Sequence, residues 1–219
     1  MLNTELKNDI WDVVHMYARA YNPDNMGDNA RMQNKDSRQM FITFLTALGT
    51  LLPKDDFTKV FLDELHSRPP NGMQLTNRVM LLQWTFNFHH RVSSRAGYND
   101  ITKDYSMFRR RYDAFKKEDW ARPTWRLLHV LPVFYPSIYD EYKTSVFIKL
   151  VTALQYILPC MECRSHLVAN LKSLPLTVCN FQSNEDLFKW TYFLHERVNM
   201  QLGKDGMSYS NAKALYSIY

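Results

Sequence analysis

Leu158-Pro159-Cys160-Met161-Glu162-Cys163-Arg164-Ser165-His166 decides how this chain is read. It follows Tyr142 to Ile157, where Val146, Phe147, Leu150, Val151, Leu154 and Ile157 recur at helical spacing rather than in strand alternation. Pro159 suits the start of a second helix. Two cysteines at i and i+3 on a first helical turn share one face and lie close enough for a disulfide. The free N–H groups and dipole of a helix N-terminus favour negative charge, and so a thiolate. This spacing describes a redox-active pair. The competing reading is a helix start that happens to carry two unrelated buried thiols.

Working outward, Glu185 to Leu202 repeats the helical pattern with Leu187, Phe188, Trp190, Tyr192, Phe193, Leu194, Val198 and Leu202. Asn184 is the expected N-cap and Gly203 the expected stop. No segment alternates convincingly as a strand, so an all-α fold is expected.

The chain also resembles itself. Phe41-Ile42-Thr43-Phe44-Leu45-Thr46-Ala47-Leu48 aligns with Phe147-Ile148-Lys149-Leu150-Val151-Thr152-Ala153-Leu154. Leu52-Pro53 falls on Leu158-Pro159, Trp84-Thr85-Phe86 on Trp190-Thr191-Tyr192, and His89 and Arg91-Val92 on His195 and Arg197-Val198, all at one offset of 106 residues. Upstream, Trp11 and His15 match Trp125 and His129 at an offset of 114, which an insertion or deletion between them explains. Amphipathic helices are all somewhat alike, but a constant offset across tryptophan, histidine and Leu-Pro argues for a repeat. The halves differ where chemistry would be: Cys160, Cys163 and His166 face Lys54, Phe57 and Val60. The expected organisation is a degenerate helical domain over 1–105, a basic connector helix over 106–120, and an active domain over 121–219.

Composition narrows the class. The 219 residues, 46% of them hydrophobic, suffice for one large domain or two small ones. No apolar run is long enough for a transmembrane helix, and Met1 to Asp9 reads as neither signal peptide nor presequence. Three cysteines, Cys160, Cys163 and Cys179, are too few for a disulfide-stapled secreted fold. A net charge of +5 is mild. The basic run Arg109-Arg110-Arg111, continued by Lys116-Lys117, is interleaved with Asp113, Glu118 and Asp119. It reads as a solvated helix rather than a nucleic-acid patch.

Four pieces in order, from about residue 121 to 205, resemble the Erv/ALR family of FAD-linked sulfhydryl oxidases. Arg122-Pro123-Thr124-Trp125-Arg126-Leu127-Leu128-His129 is similar to the family's R-x-x-W-x-x-L-H opening, and Phe134-Tyr135-Pro136 follows it. Leu158 to Leu167 is similar to its P-C-x-x-C-x-x-H centre. Trp190 to Lys204 is similar to its W-x-x-x-x-H-N-x-V-N-x-x-L-x-K close.

The resemblance implies a four-helix bundle holding FAD. Electrons would pass from protein thiol substrates through Cys160 and Cys163 to the flavin, then to dioxygen, giving hydrogen peroxide. Matched by motif position, Cys160 is the outer, substrate-facing cysteine and Cys163 the flavin-proximal one. Arg122, Trp125, His129, Tyr135, His166, His195, Val198, Asn199 and Lys204 match positions that line FAD. Trp125 and Trp190 offer aromatic faces, His195 and Asn199 share a helix face at i and i+4, and Lys204 and Arg122 can neutralise pyrophosphate. Trp125, His129, Trp190 and His195 also have counterparts in the first half, which favours a partly architectural role. His166 tracks with the cysteines.

A degenerate copy before an active one resembles the C-terminal module of quiescin sulfhydryl oxidases and, more closely, the two-copy oxidases of baculoviruses. That organisation implies an intramolecular pseudo-dimer and further pairing into a homodimer. It points to the infected host cell's cytoplasm or nucleus, and to the virion of a large DNA virus.

The chain departs from the family pattern in three places. Glu196 stands where Asn is usual, no cysteine lies near Trp190, and no distal shuttle pair is present. Substrate would therefore reach Cys160 directly. Competing readings are a Cys2His2 zinc module built from Cys160, Cys163, His166 and His129 or His195, and a non-enzymatic assembly protein. A thioredoxin-like reductase would need a strand before the CxxC.

Overall fold

The computed structural model describes residues 2–21, 30–98, 103–116 and 118–218, with backbone only for 30–36. The helices are α1 (Thr4–Ala20), α2 (Ala30–Leu51), α3 (Asp56–Ser67), α4 (Arg78–Arg95), α5 (Tyr105–Asp113), α6 (Ala121–Val130), α7 (Glu141–Ile157), α8 (Met161–Ser173), α9 (Asn184–Gln201) and α10 (Tyr209–Tyr216). Three 3₁₀ turns, Gln74–Thr76, Leu131–Phe134 and Val178–Phe181, join them, and no strand occurs among the described residues. The all-α expectation is met.

Short polar side chains set the helix starts. Asn3 Oδ1 accepts the Leu6 N–H at 2.8 Å, and Asp55 Oδ1 accepts the Thr58 N–H at 3.0 Å. Ser183, not Asn184, caps α9, accepting the Asp186 N–H at 3.1 Å. The far end of α9 stops where Gly203 adopts φ 61°, in the left-handed region that favours glycine. The Lys204 N–H then reaches the Asn199 carbonyl at 2.9 Å, and the Gly203 N–H reaches Met200 at 3.2 Å. That pair of bonds is the Schellman arrangement, and it brings Lys204 back toward the bundle.

The first five helices contribute Trp11, Phe41, Phe57, Phe61 and Phe88, and the last five Phe147, Phe181, Leu187 and Trp190, to one continuous buried core. In the first group, Trp84 Nε1 donates to the Arg68 carbonyl at 3.3 Å. In the second, Trp190 Nε1 donates to the Leu174 carbonyl, also at 3.3 Å. These bonds satisfy the one donor an otherwise buried indole carries.

The two groups meet along α2 against α7 and α1 against α6. Tyr17 Oη lies 2.9 Å from Thr124 Oγ1 in this buried seam, with Phe44, Leu48, Leu150 and Leu154 beside it. Burial holds the Tyr17 phenol neutral, its pKa raised well above the usual tyrosine range. At the edge, Arg126 pairs with Glu5 and, at 3.0 Å, with Asp9.

The basic segment expected to form a connector over 106–120 is helical only over Tyr105–Asp113, and it is not solvated on all sides. Phe108 and Tyr112, at i and i+4, form a buried face on the first helix group, with Phe108 4.7 Å from the His15 ring. The charges take the opposite face, Arg109 on Asp113 at 3.3 Å and Arg111 on Asp12 at 3.3 Å. Interleaved charge in the sequence concealed this apolar pair.

Candidate functional site

A cavity of about 350 Å³ opens among α6, α7, α8 and α9. Its walls are mainly apolar: Trp120, Trp125, Leu154, Leu167, Leu194 and Val198. Cys160, Cys163 and His166 line one side, and Glu118 and Lys204 also border it. A concave, mostly apolar site with a few convergent polar groups is the usual form of a cofactor pocket.

Cys160 and Cys163 are joined in a disulfide, with Cα atoms 5.1 Å apart. The helix begins at Met161, so Pro159 lies outside it and Cys160 is the N-cap of α8. The Cys163 N–H donates to Cys160 Sγ at 3.2 Å. That donor would stabilise a Cys160 thiolate once the bond is broken. Arg164 Nε donates to the Leu158 carbonyl at 2.7 Å and fixes the turn through Pro159. Cys160 is only 7% exposed, whereas Cys163 is half-buried. The cysteine expected to face substrate is thus the more enclosed of the two, because it sits at the turn between α7 and α8.

The wall opposite is braced by histidines. Trp125 stacks on His195, centroids 4.0 Å apart and 7° from parallel. His195 Nδ1 lies 2.9 Å from His129 Nε2, and His129 Nδ1 lies 3.4 Å from Thr191 Oγ1. Burial, with His195 adding to it, pushes the His129 pKa down to about 3. Burial pushes His195 down to about 4, opposed by Glu196 and assisted by Lys204. Both rings are neutral near pH 7, so one donates and the other accepts across the 2.9 Å contact.

The residues expected at the site thus separate. Trp125, Cys160, Cys163, His166, Val198 and Lys204 line the cavity, while His195 and His129 stand behind Trp125. Asn199 donates through Nδ2 to Glu196 Oε1 at 3.1 Å, and its carbonyl holds the Lys204 turn. Tyr135 and Arg122 are not brought to the cavity. The Tyr135 hydroxyl lies 2.8 Å from Thr144 Oγ1 and accepts the Asp140 N–H at 3.0 Å, which makes it a brace for the start of α7. Arg122 is exposed on the first turn of α6, where its charge acts on Asp9 of α1. Trp120 was missed. It precedes the first motif by two residues, and only its aromatic character beside a helix start hinted at a role.

Among the described residues no group of three or more His, Cys, Asp or Glu side chains is arranged to hold a metal ion. The zinc reading therefore finds no donor set there. No described helix is long and apolar enough to cross a membrane.

Comparison with known proteins gives this arrangement a lineage. Residues 122–217 match the Erv1/Alr family. A probable FAD-linked sulfhydryl oxidase of Acanthamoeba polyphaga mimivirus is 32% identical over 95 residues, covering 43% of this chain and 66% of the mimivirus protein. An FAD-linked sulfhydryl oxidase of African swine fever virus is 34% identical over 102 residues, covering 44% of this chain and 79% of the viral protein. One from Arabidopsis thaliana is 35% identical over 88 residues, 40% of this chain and 44% of the plant protein. No solved structure matches. The disulfide at a helix start, set in the wall of an apolar cavity and carried by sequence shared with these enzymes, places the chain in the Erv1/Alr family of FAD-linked sulfhydryl oxidases.

Proposed function

We propose that residues 121–219 form the working thiol oxidase domain and that the Cys160–Cys163 disulfide is its redox centre. The observation that carries this reading is the disulfide's place in the wall of a cavity suited to a flat ring. Trp125, held parallel to His195, gives that cavity a planar face. Leu154, Leu167, Leu194 and Val198 make it apolar, and Lys204 adds a cation that can meet phosphate. These residues fit the isoalloxazine and charged tail of FAD. FAD held there would supply a two-electron acceptor able to hand electrons on to dioxygen, yielding hydrogen peroxide.

The protein's own part is thiol–disulfide exchange. A substrate thiolate attacks Cys160 Sγ, forming a mixed disulfide and releasing Cys163 as a thiolate. A second substrate thiolate attacks the substrate sulfur of that mixed disulfide, releasing the oxidised substrate and leaving Cys160 as a thiolate. Two electrons now reside on the cysteine pair, and the two thiol protons have gone to solvent. The Cys163 N–H at the N-cap favours Cys160 as a leaving group, since a lower leaving-thiol pKa speeds departure.

The first half reads as a degenerate copy that pairs with the active one as a pseudo-dimer. Several local arrangements support this. Trp11 stacks on His89 at 3.8 Å as Trp125 does on His195. His15 Nε2 lies 2.9 Å from His89 Nδ1, the same distance as in the His129–His195 pair. Phe108 and Tyr216 each sit 4.7 Å from His15 and His129 respectively, the first edge-on at 85° and the second stacked at 24°. Phe57, which aligns with Cys163 in sequence, packs on Trp11 and Tyr98, an aromatic cluster at the position matching the redox pair. Viral relatives support an infected cell as the setting.

The test is a visible absorbance spectrum of the purified chain before and after anaerobic dithiothreitol. A flavin band that bleaches with reductant, and no longer does so in Cys163→Ala, is expected. A colourless protein would sink the reading.

A further inference from the structure

A second concavity, of about 290 Å³, borders the disulfide cavity at Trp120. Trp120 lines both. Pro159, the residue before Cys160, forms one wall, while Met16 of α1 with Tyr112 and Phe115 from α5 and its exit form the rest of the apolar lining. Arg19 and Lys116 stand at the edge. The groove is lined mostly by α1, α5 and the segment between α5 and α6, yet it reaches Pro159 in the turn that carries the redox pair. We propose that it docks the cysteine-bearing segment of a protein substrate, one with an aromatic or large aliphatic side chain near the cysteine and with acidic neighbours. The inference rests on the thiol oxidase reading and assigns the first half a share in substrate choice.

Three observations support this occupant. Cys160 is only 7% exposed and lines the disulfide cavity, whereas Pro159, its neighbour in the chain, lines the groove, so a segment seated there lies beside the turn that carries the redox pair. Tyr112 and Phe115, with centroids 5.2 Å apart, together with Trp120 and Met16, offer aromatic and thioether surface that takes varied apolar side chains. The charge is complementary to an acidic segment. The charged residues that line the groove, Arg19 and Lys116, are both cations and no carboxylate among the described residues lines it, while the nearby Asp113 and Asp12 are engaged by Arg19 at 2.6 Å and Arg111 at 3.3 Å. Like-charged segments would be rejected and acidic ones steered in, most strongly at low salt.

The probe is a fluorescent peptide with an aromatic residue beside a serine, standing in for cysteine, and two flanking carboxylates. Its counterpart carries amines in place of both carboxylates. Anisotropy titrations on the full chain should show the acidic peptide binding about tenfold more tightly. Lys116→Glu should abolish that preference, and Phe115→Ala should weaken both peptides about tenfold. Flavin absorbance and dithiothreitol oxidation should stay at wild-type levels in both variants. Equal binding of the two peptides by the wild type, or unchanged affinity in both variants, overturns the docking surface. A chain that discriminates the peptides but does not oxidise dithiothreitol would keep the docking surface and refute the oxidase reading.

Discussion

Trp125 and His195 lie face to face, 4.0 Å apart and 7° from parallel, and His195 is held in turn by His129 at 2.9 Å. The indole that faces the cavity is therefore fixed from behind by a neutral imidazole relay rather than by apolar packing alone. Stacked aromatic pairs contribute about 0.5–1.5 kcal/mol beyond their buried area. His195→Ala frees the indole to rotate into the cavity. The expected outcome is a roughly tenfold weaker hold on FAD, read as the flavin-to-protein absorbance ratio after dialysis. Thiol turnover should return when excess FAD is added. Full flavin retention in this variant would show that the relay does not shape the site.

The two cysteines are expected to differ in what they do for the fold. Cys160 is the N-cap of α8, and serine is a better cap than cysteine. Cys160→Ser should abolish thiol oxidation while leaving the melting temperature near that of the reduced wild type. Cys160→Ala should lose the same activity and also about 1 kcal/mol of stability, because the Cys163 N–H loses its acceptor. Activity assays with thermal melts of both variants check this. Equal melting of the serine and alanine variants would mean the cap contributes nothing.

Much of this was legible in the residues. The CxxC pair, the two long helices around it and the Gly203 stop follow from spacing and backbone preference, which are local properties. The placement of Tyr135 and Arg122 was not legible, because each is decided by a partner distant in sequence or in another element: Thr144 on α7 for Tyr135, Asp9 on α1 for Arg122. The packing of α5 was hidden for a similar reason. Phe108 and Tyr112 are two aromatics in a run of arginines, and only the His15 ring, more than ninety residues away, makes them a buried face. The enclosure of Cys160 is likewise a tertiary fact, invisible in a motif that only says the two thiols can meet.

Placing cysteines at positions 54 and 57 should not create a second flavin site. Phe57 is fully enclosed and touches Trp11, Phe61 and Tyr98, and Lys7 packs over the Tyr98 ring at 3.7 Å. A Lys54→Cys, Phe57→Cys double variant removes one ring from a close-packed cluster and leaves the others in the way. It should still carry one FAD per chain, counted by absorbance of the denatured protein. Stability should drop by about 3–5 kcal/mol, the cost of truncating a buried phenylalanine. Two flavins per chain would show that the aromatic cluster can give way to a ring of that size.

Stability should decline on mild acidification. His129 and His195 have folded pKa values of about 3 and about 4, and His15, fully buried beside His89, is also held well below the usual 6.5. Between about pH 6.5 and 4 the unfolded chain takes up protons at these rings that the folded chain refuses, so the folded state loses ground as pH falls. Asp9 works the other way. Burial raises its carboxyl to about 6 despite Arg126 and Arg122, so the folded chain holds that proton between about pH 6 and 4 while the unfolded chain does not. Three histidines outweigh one aspartate, and the melting temperature should fall between pH 6.5 and 4.5. Asp9→Asn removes the opposing contribution and should make the decline steeper across the same window. Melting curves for both proteins at half-unit steps test this directly. A flat wild-type profile would mean the histidines are not shielded in the folded state. An unchanged slope in Asp9→Asn would mean the carboxylate stays ionised against Arg126.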